Sequence, residues 1–101
     1  MTGQVFRRDT FAEAVGSTFV VDSESSSLEL VLDRLEDGPS TPGFEQYALH
    51  FLGPADPLLA QRSFRLNHEE MGSLDIFLVP IGQVGGRIEY QACFNHRVAS
   101  E

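Results

Sequence analysis

The chain has 101 residues, 42% of them hydrophobic, which predicts one folded domain spanning residues 1–101. Fifteen acidic residues against seven basic ones, with no Lys, give a net charge of −8. This balance argues against binding to nucleic acid or to an anionic membrane, because both depend on clustered positive charge. A single cysteine excludes an internal disulfide. No signal peptide or apolar run of the ~20 residues needed to cross a membrane is present, so we expect a cytoplasmic protein.

Residues 1–16 predict a lead-in followed by one short helix. Thr10 and Glu13 match the capping-box pattern, in which the Thr hydroxyl and the Glu side chain satisfy each other's backbone N–H groups. Phe11 and Val15 are one turn apart and are predicted to share an apolar face. Gly16 follows as the predicted C-cap.

Residues 17–95 predict the β core, which begins with a strand over Thr18–Val21 and a polar turn over 22–27. In the next segment the leucines alternate with polar residues, which places three of them on one face: Leu28, Leu30 and Leu32. A helix is the competing interpretation there, because the leucine spacing also fits a helical turn. The length and the alternation favour a strand.

A loop over residues 37–43 contains two Pro and two Gly. The strand predicted over Gln46–Leu52 presents Tyr47 on one face and His50 on the other. Gly53–Pro57 then predicts a break in the chain, since Gly and Pro are typical turn residues.

Residues 64–94 predict a three-stranded meander that forms the spine of the fold. We expect Gly72 to adopt a positive φ in the first turn, and Pro80 to mark a bulge or the end of the middle strand. A Gly-rich connection over 82–86 leads to the last strand, and a polar tail occupies 96–101. The prediction is therefore a mainly β fold, with about six antiparallel strands in a small barrel or two-layer sandwich and one short N-terminal helix.

Four segments of the chain resemble one known family: Gly53-Pro54-Ala55-Asp56-Pro57, Phe64-Arg65-Leu66-x-His68, Leu74-x-x-Phe77-Leu78-Val79-Pro80-Ile81-Gly82 and Tyr90-x-Ala92-x-Phe94-Asn95. The family consists of short bacterial proteins classed as a domain of unknown function, and the resemblance runs from Phe11 onward. It implies a stand-alone cytoplasmic protein and a connection with phage-tail-like or tail-fibre components. It implies no catalytic residue.

The residue types used for catalysis do not occur in a recognised arrangement. None of the three histidines has a metal-binding spacing to another ligand, so we predict no metal and no cofactor. Cys93 lacks the basic neighbours that activate a thiol. We therefore predict no catalytic residue and expect a protein that is not an enzyme.

The middle strand of the meander carries a second apolar face, which predicts a contact surface. The predicted interaction site comprises two groups of residues: Phe77, Val79 and Ile81 on the strand, and His68, Glu69 and Met71 in the preceding turn. Its expected occupant is a protein partner or a second copy of the chain. An alternative is a barrel that binds a small ligand, with His50 or Tyr47 as the polar group. A hydrolase or metal enzyme is the third hypothesis.

Overall fold

The computed structural model describes residues 8–22, 27–39, 41–56 and 59–97. In chain order the elements are α1 (Arg8–Glu13), β1 (Thr18–Asp22), β2 (Ser27–Asp37), β3 (Phe44–Pro54), β4 (Arg62–His68), β5 (Gly72–Val84) and β6 (Arg87–Arg97). The strands are antiparallel in the order β1-β2-β3-β6-β5-β4, and pairing of β1 with β4 closes the sheet into a barrel. The predicted mainly β fold, with six strands and one short helix, is confirmed.

The core lies inside the barrel and follows from the period-two alternation of the strands. Side chains that are fully buried come from every strand: Phe19, Val21, Leu30, Leu32, Leu49, Phe51, Leu66, Leu78 and Tyr90. Burying one such side chain contributes about 1.5–3 kcal/mol to folding. The strand interpretation of residues 28–33 is therefore confirmed, and the helical alternative is wrong.

The break predicted over Gly53–Pro57 begins two residues later than predicted, because β3 continues through Gly53 to Pro54 and a bend follows at residues 55 and 56. Gly53 lies opposite Ile88 of β6 and is buried. A Cβ atom at this position would lie 2.4 Å from Cδ2 of Leu30. Gly53 therefore permits close packing inside the barrel and does not serve a turn.

The N-terminal helix begins earlier than predicted, at Arg8, so Thr10 lies within it and the predicted cap at Thr10 is wrong. The helix ends at Glu13, and Val15 lies exposed in the following turn instead of facing the core with Phe11. Gly16 has the positive φ expected after a helix, +93°.

Strand β6 extends two residues beyond the predicted end of the β core at residue 95. Phe44 and Glu45 of β3 pair with Arg97 and His96. The polar composition of residues 96–101 gave no sign of this strand pairing. The predicted tail at 96–101 therefore begins too early, and 98–101 lie outside the described residues. Most of the predicted turn at 22–27 also lies outside them.

Strand β5 connects two parts of the barrel. Gly72–Leu78 pairs with β4, whereas Val79–Val84 pairs with β6. The register shifts between Pro80 and Gly82, which confirms the predicted bulge. Gly72 has the predicted positive φ, +81°.

Candidate interaction site

The outward side of β5 carries four apolar side chains, which we call the β5 strip: Phe77, Val79, Ile81 and Val84. Because neighbouring residues of a strand point to opposite faces, the burial of Leu78 inside the barrel turns Phe77 and Val79 outward. Phe77 is 50% exposed, and Ile81, at the bulge, is 45% exposed. The structure thus brings together the three strand residues of the predicted interaction site.

Val84, which is 49% exposed, also belongs to the strip and was not among the predicted site residues. Pro80 and the following glycines suggested that the strand had ended. The strand in fact continues to a two-residue hairpin turn at Gly85 and Gly86, which have φ values of +55° and +80°. Two adjacent glycines at such a turn are the typical signal for a type I′ hairpin, and this signal could have located the end of β5.

The β5 strip lies in the longest segment of the chain without a charged side chain, residues 76–86. The charged residues that bound this segment are Asp75 and Arg87. Asp75 accepts a hydrogen bond from Arg65 Nε at 3.1 Å. On a chain with a net charge of −8, this segment is therefore an uncharged, apolar surface.

The turn residues of the predicted site lie away from the β5 strip. Met71 is half-buried and packs against the core. Phe77 follows six residues later along β5, which corresponds to about 20 Å at ~3.3 Å per residue. His68 and Glu69 lie at the same end of the barrel as Met71, so the structure does not join the two predicted groups into one surface.

His68 forms a hydrogen-bonded connection between β1 and the β4–β5 turn. Its Nδ1 accepts the backbone N–H groups of Glu70 and Met71 at 3.0 and 3.1 Å, so the ring proton lies on Nε2. Nε2 then donates to Ser17 Oγ at 2.8 Å, and the Ser17 hydroxyl donates to the carbonyl of Ala14. A general base must instead accept a proton from the serine, so this pair is arranged as a structural contact.

His50 lies on the outward face of β3 but is only 2% exposed, because side chains of the neighbouring strands cover it. Its Nε2 is 2.9 Å from Glu36 Oε1, and its Nδ1 is 2.9 Å from Glu89 Oε2. Arg34 Nη1 lies 3.1 Å from that same Glu89 oxygen. Both ring nitrogens thus face carboxylates.

Tyr47 and His50 lie on opposite faces of β3, so they do not line one cavity. Tyr47 points inward, where its ring lies 6.1 Å from that of Phe11 and 5.1 Å from that of Phe94. The alternative of a ligand-binding barrel that uses these two side chains stays a prediction.

The described residues contain no group of three His, Cys, Asp or Glu side chains that could hold a metal ion. Cys93 is exposed at an outer groove of about 330 Å³ that also involves Glu36 and Gln91. Across the described ranges, no helix has the length and apolar character needed to span a membrane.

Comparison with known proteins agrees with the resemblance seen in the sequence. A family model described as Domain of unknown function (DUF6916) matches residues 6–94. The chain belongs to this family. The match includes the helix, the β5 strip and nearly all of the barrel. No curated protein and no solved structure matches the chain.

Proposed function

We propose that the protein is a non-enzymatic interaction module that contacts other protein surfaces through the β5 strip. The observation that carries this proposal is the exposure of Phe77 and Ile81 on an uncharged segment of an acidic chain. Contiguous exposed apolar side chains on a folded protein are typical of contact surfaces. The strip lies on a strand of the hydrogen-bonded barrel, so the backbone that carries it is preorganised for binding.

The arrangement of the polar side chains supports a role without catalysis. The Ser17–His68 hydrogen bond runs from the imidazole to the hydroxyl, and His68 Nδ1 is occupied by two backbone N–H groups. The imidazole of His50 is held between two carboxylates in the wall of the barrel. His68 thus offers no free nitrogen for general-base chemistry, and the His50 ring is buried away from solvent.

In this proposal the protein acts in the cytoplasm as an accessory protein of phage-tail-like assemblies. Its support is the family resemblance described above. The expected partner is then a tail or fibre component with an exposed apolar surface that matches the β5 strip.

The proposal predicts that Phe77→Asp weakens association while the chain stays folded. Removing the apolar contact of one aromatic side chain, worth about 1.5–3 kcal/mol, corresponds to a ~10- to 100-fold loss of affinity. The partner is isolated with the tagged chain from its native cell, identified and purified, and its affinity for each variant is measured by calorimetry.

The matched control is Phe44→Asp, because Phe44 is 45% exposed and lies at the start of β3, away from the strip. The control should bind like the unmodified protein. Equal binding by Phe77→Asp, or its failure to fold, would contradict the proposal, since Phe77 would then lie outside the interface or belong to the core.

A further inference from the structure

A groove on the outer face of β2, β3 and β6 lies beside the β5 strip. Its volume is about 330 Å³, at the lower end of the range of ligand pockets. Glu36 pairs with Ala48 and Ala48 pairs with Cys93, so these three residues form one row across the strands. Because Ala48 carries only a methyl group, Glu36 and Cys93 border a depression, with Cα atoms about 10 Å apart at ~4.8 Å per strand.

A buried histidine holds the Glu36 carboxylate at this groove. His50 is 2% exposed, and its Nε2 is hydrogen-bonded to Glu36 Oε1 at 2.9 Å. The Glu36 side chain itself is 62% exposed, and within the described part of the chain no other group is hydrogen-bonded to it or ion-paired with it. Its second carboxylate oxygen, Oε2, is therefore available on a side chain that is already positioned, which lowers the entropic cost of binding.

The lining of the groove is rich in hydrogen-bond acceptors. Besides Glu36, the side-chain amides of Gln46, Gln91 and Asn95 line it, and each amide offers a carbonyl oxygen. No arginine or histidine is among the described residues that line the groove, and the chain has no lysine. The groove thus presents a negative charge and several acceptors, with no positive charge of its own.

Asp37 lines the same groove, but its carboxylate is already occupied. Arg8 donates to both of its oxygens, so this pair shows how a guanidinium group meets a carboxylate at this side of the barrel. Glu36 is therefore the acidic side chain of the groove that has no arginine bound to it.

We infer that this groove binds an arginine side chain of the protein that docks on the β5 strip. The inference rests on the proposed function and names the chemistry of its partner. Gln91 of the groove pairs with Val79 of the strip, so the two surfaces adjoin. A guanidinium group has five N–H donors in one plane, which suits a carboxylate flanked by amide carbonyls. The partner therefore presents an apolar patch with an arginine beside it.

The charge of the whole chain favours a basic partner. A net charge of −8 attracts a basic surface over a distance and repels an acidic one. The β5 strip cannot recognise that charge, because residues 76–86 contain no Asp, Glu, Lys or Arg. The groove supplies the charge recognition that the strip lacks.

Cys93 gives a direct measure of groove occupancy, because it is the single cysteine of the chain and is exposed there. The rate at which iodoacetamide alkylates Cys93 is measured with increasing Nα-acetyl-arginine amide. Nα-acetyl-citrulline amide, whose side chain has nearly the same shape without the charge, is the control compound. We expect the arginine compound to slow alkylation in a saturable manner and the citrulline compound to have no effect. No protection by the arginine compound, or equal protection by both, would overturn the inference.

Glu36→Gln tests the carboxylate, because glutamine keeps the size of the side chain and removes its charge. Glu70→Gln is the matched control, since it changes the net charge equally but lies in the turn between β4 and β5 and does not line the groove. Protection of Cys93 should be lost in Glu36→Gln and kept in Glu70→Gln. Protection that survives in Glu36→Gln, or disappears equally in both, would overturn the inference.

The partner isolated from the native cell separates this inference from the proposed function. Glu36→Gln should bind it ~5- to 10-fold more weakly, and added salt should reduce this difference. If Glu36→Gln does not fold, Cys93→Arg, which places a guanidinium group at the groove, should weaken binding, whereas Cys93→Ser should not. A partner that binds Glu36→Gln and Cys93→Arg normally but loses affinity for Phe77→Asp would overturn this inference and leave the proposed function standing.

Discussion

At the scale of single residues, Gly53 shows how a close contact inside the barrel determines the residue type. Its neighbours Leu49 and Phe51 on β3 are fully buried, and the next inward position has no room for a side chain beside Leu30. Sequence patterns associate glycine with turns, so this role was invisible without the contact between β2 and β3. The same limit applies to the Ser17–His68 contact, whose residues are 51 positions apart.

We predict that Gly53→Ala destabilises the protein by about 1–3 kcal/mol, because the added methyl group would force Leu30 to move in a filled core. Urea unfolding of the monomer measures this change. Gly82→Ala is the control, since a Cβ at Gly82 meets no atom within 4 Å and its φ is not positive. A Gly53→Ala variant as stable as the control would mean that the space beside Leu30 is larger than the structure shows.

At the scale of elements, α1 is attached to the barrel by polar contacts of Arg8. Arg8 Nε and Nη2 donate to the two carboxylate oxygens of Asp37 at 2.5 and 3.0 Å. The Arg8 backbone N–H donates to Glu45 Oε1 at 3.1 Å. The helix is thus held at the end of β2 and the start of β3, where Phe11 enters the core.

This contact predicts a dependence of stability on pH. The hydrogen bond from Arg8 holds the pKa of Asp37 below its ordinary value of 3.8. A carboxyl group whose pKa is lowered by folding stabilises the folded state above its unfolded-state pKa, and this stabilisation disappears as the pH falls through the lowered value. Asp37→Asn should therefore be less stable than the unmodified protein at neutral pH and equally stable in strong acid.

Thermal unfolding at a series of pH values measures the difference, with the exposed Asp56→Asn as the control. Because Arg8 and Asp37 are both solvent-exposed, added salt should reduce the effect. A difference between Asp37→Asn and the unmodified protein that persists at the lowest pH would contradict an electrostatic origin.

At the scale of the whole molecule, the sequence predicted the parts that depend on local patterns. Alternation placed Leu30 and Leu32 on one face of β2, and both are buried. The meander from Phe64 to Phe94 is present as neighbouring strands β4, β5 and β6. Closure of the barrel by the short β1–β4 contact involves strands far apart in the chain, and no local pattern encodes it.

Part of the candidate site was also predictable from the local order of residues. The second apolar face of β5 was visible in the order of its residues, and Phe77 is exposed there. The point on β5 where pairing with β4 stops and pairing with β6 begins is defined only by the assembled sheet. The cluster around His50 likewise joins side chains from three strands.

The measurement that tests the central claim most directly compares the affinities of Phe77→Asp and Phe44→Asp for the partner isolated from the native cell. The account predicts that Phe77→Asp binds ~10- to 100-fold more weakly than the unmodified protein, because Phe77 lies on the β5 strip. Phe44→Asp should bind as tightly as the unmodified protein, because Phe44 lies away from the strip. Equal affinities of the two variants would contradict the account.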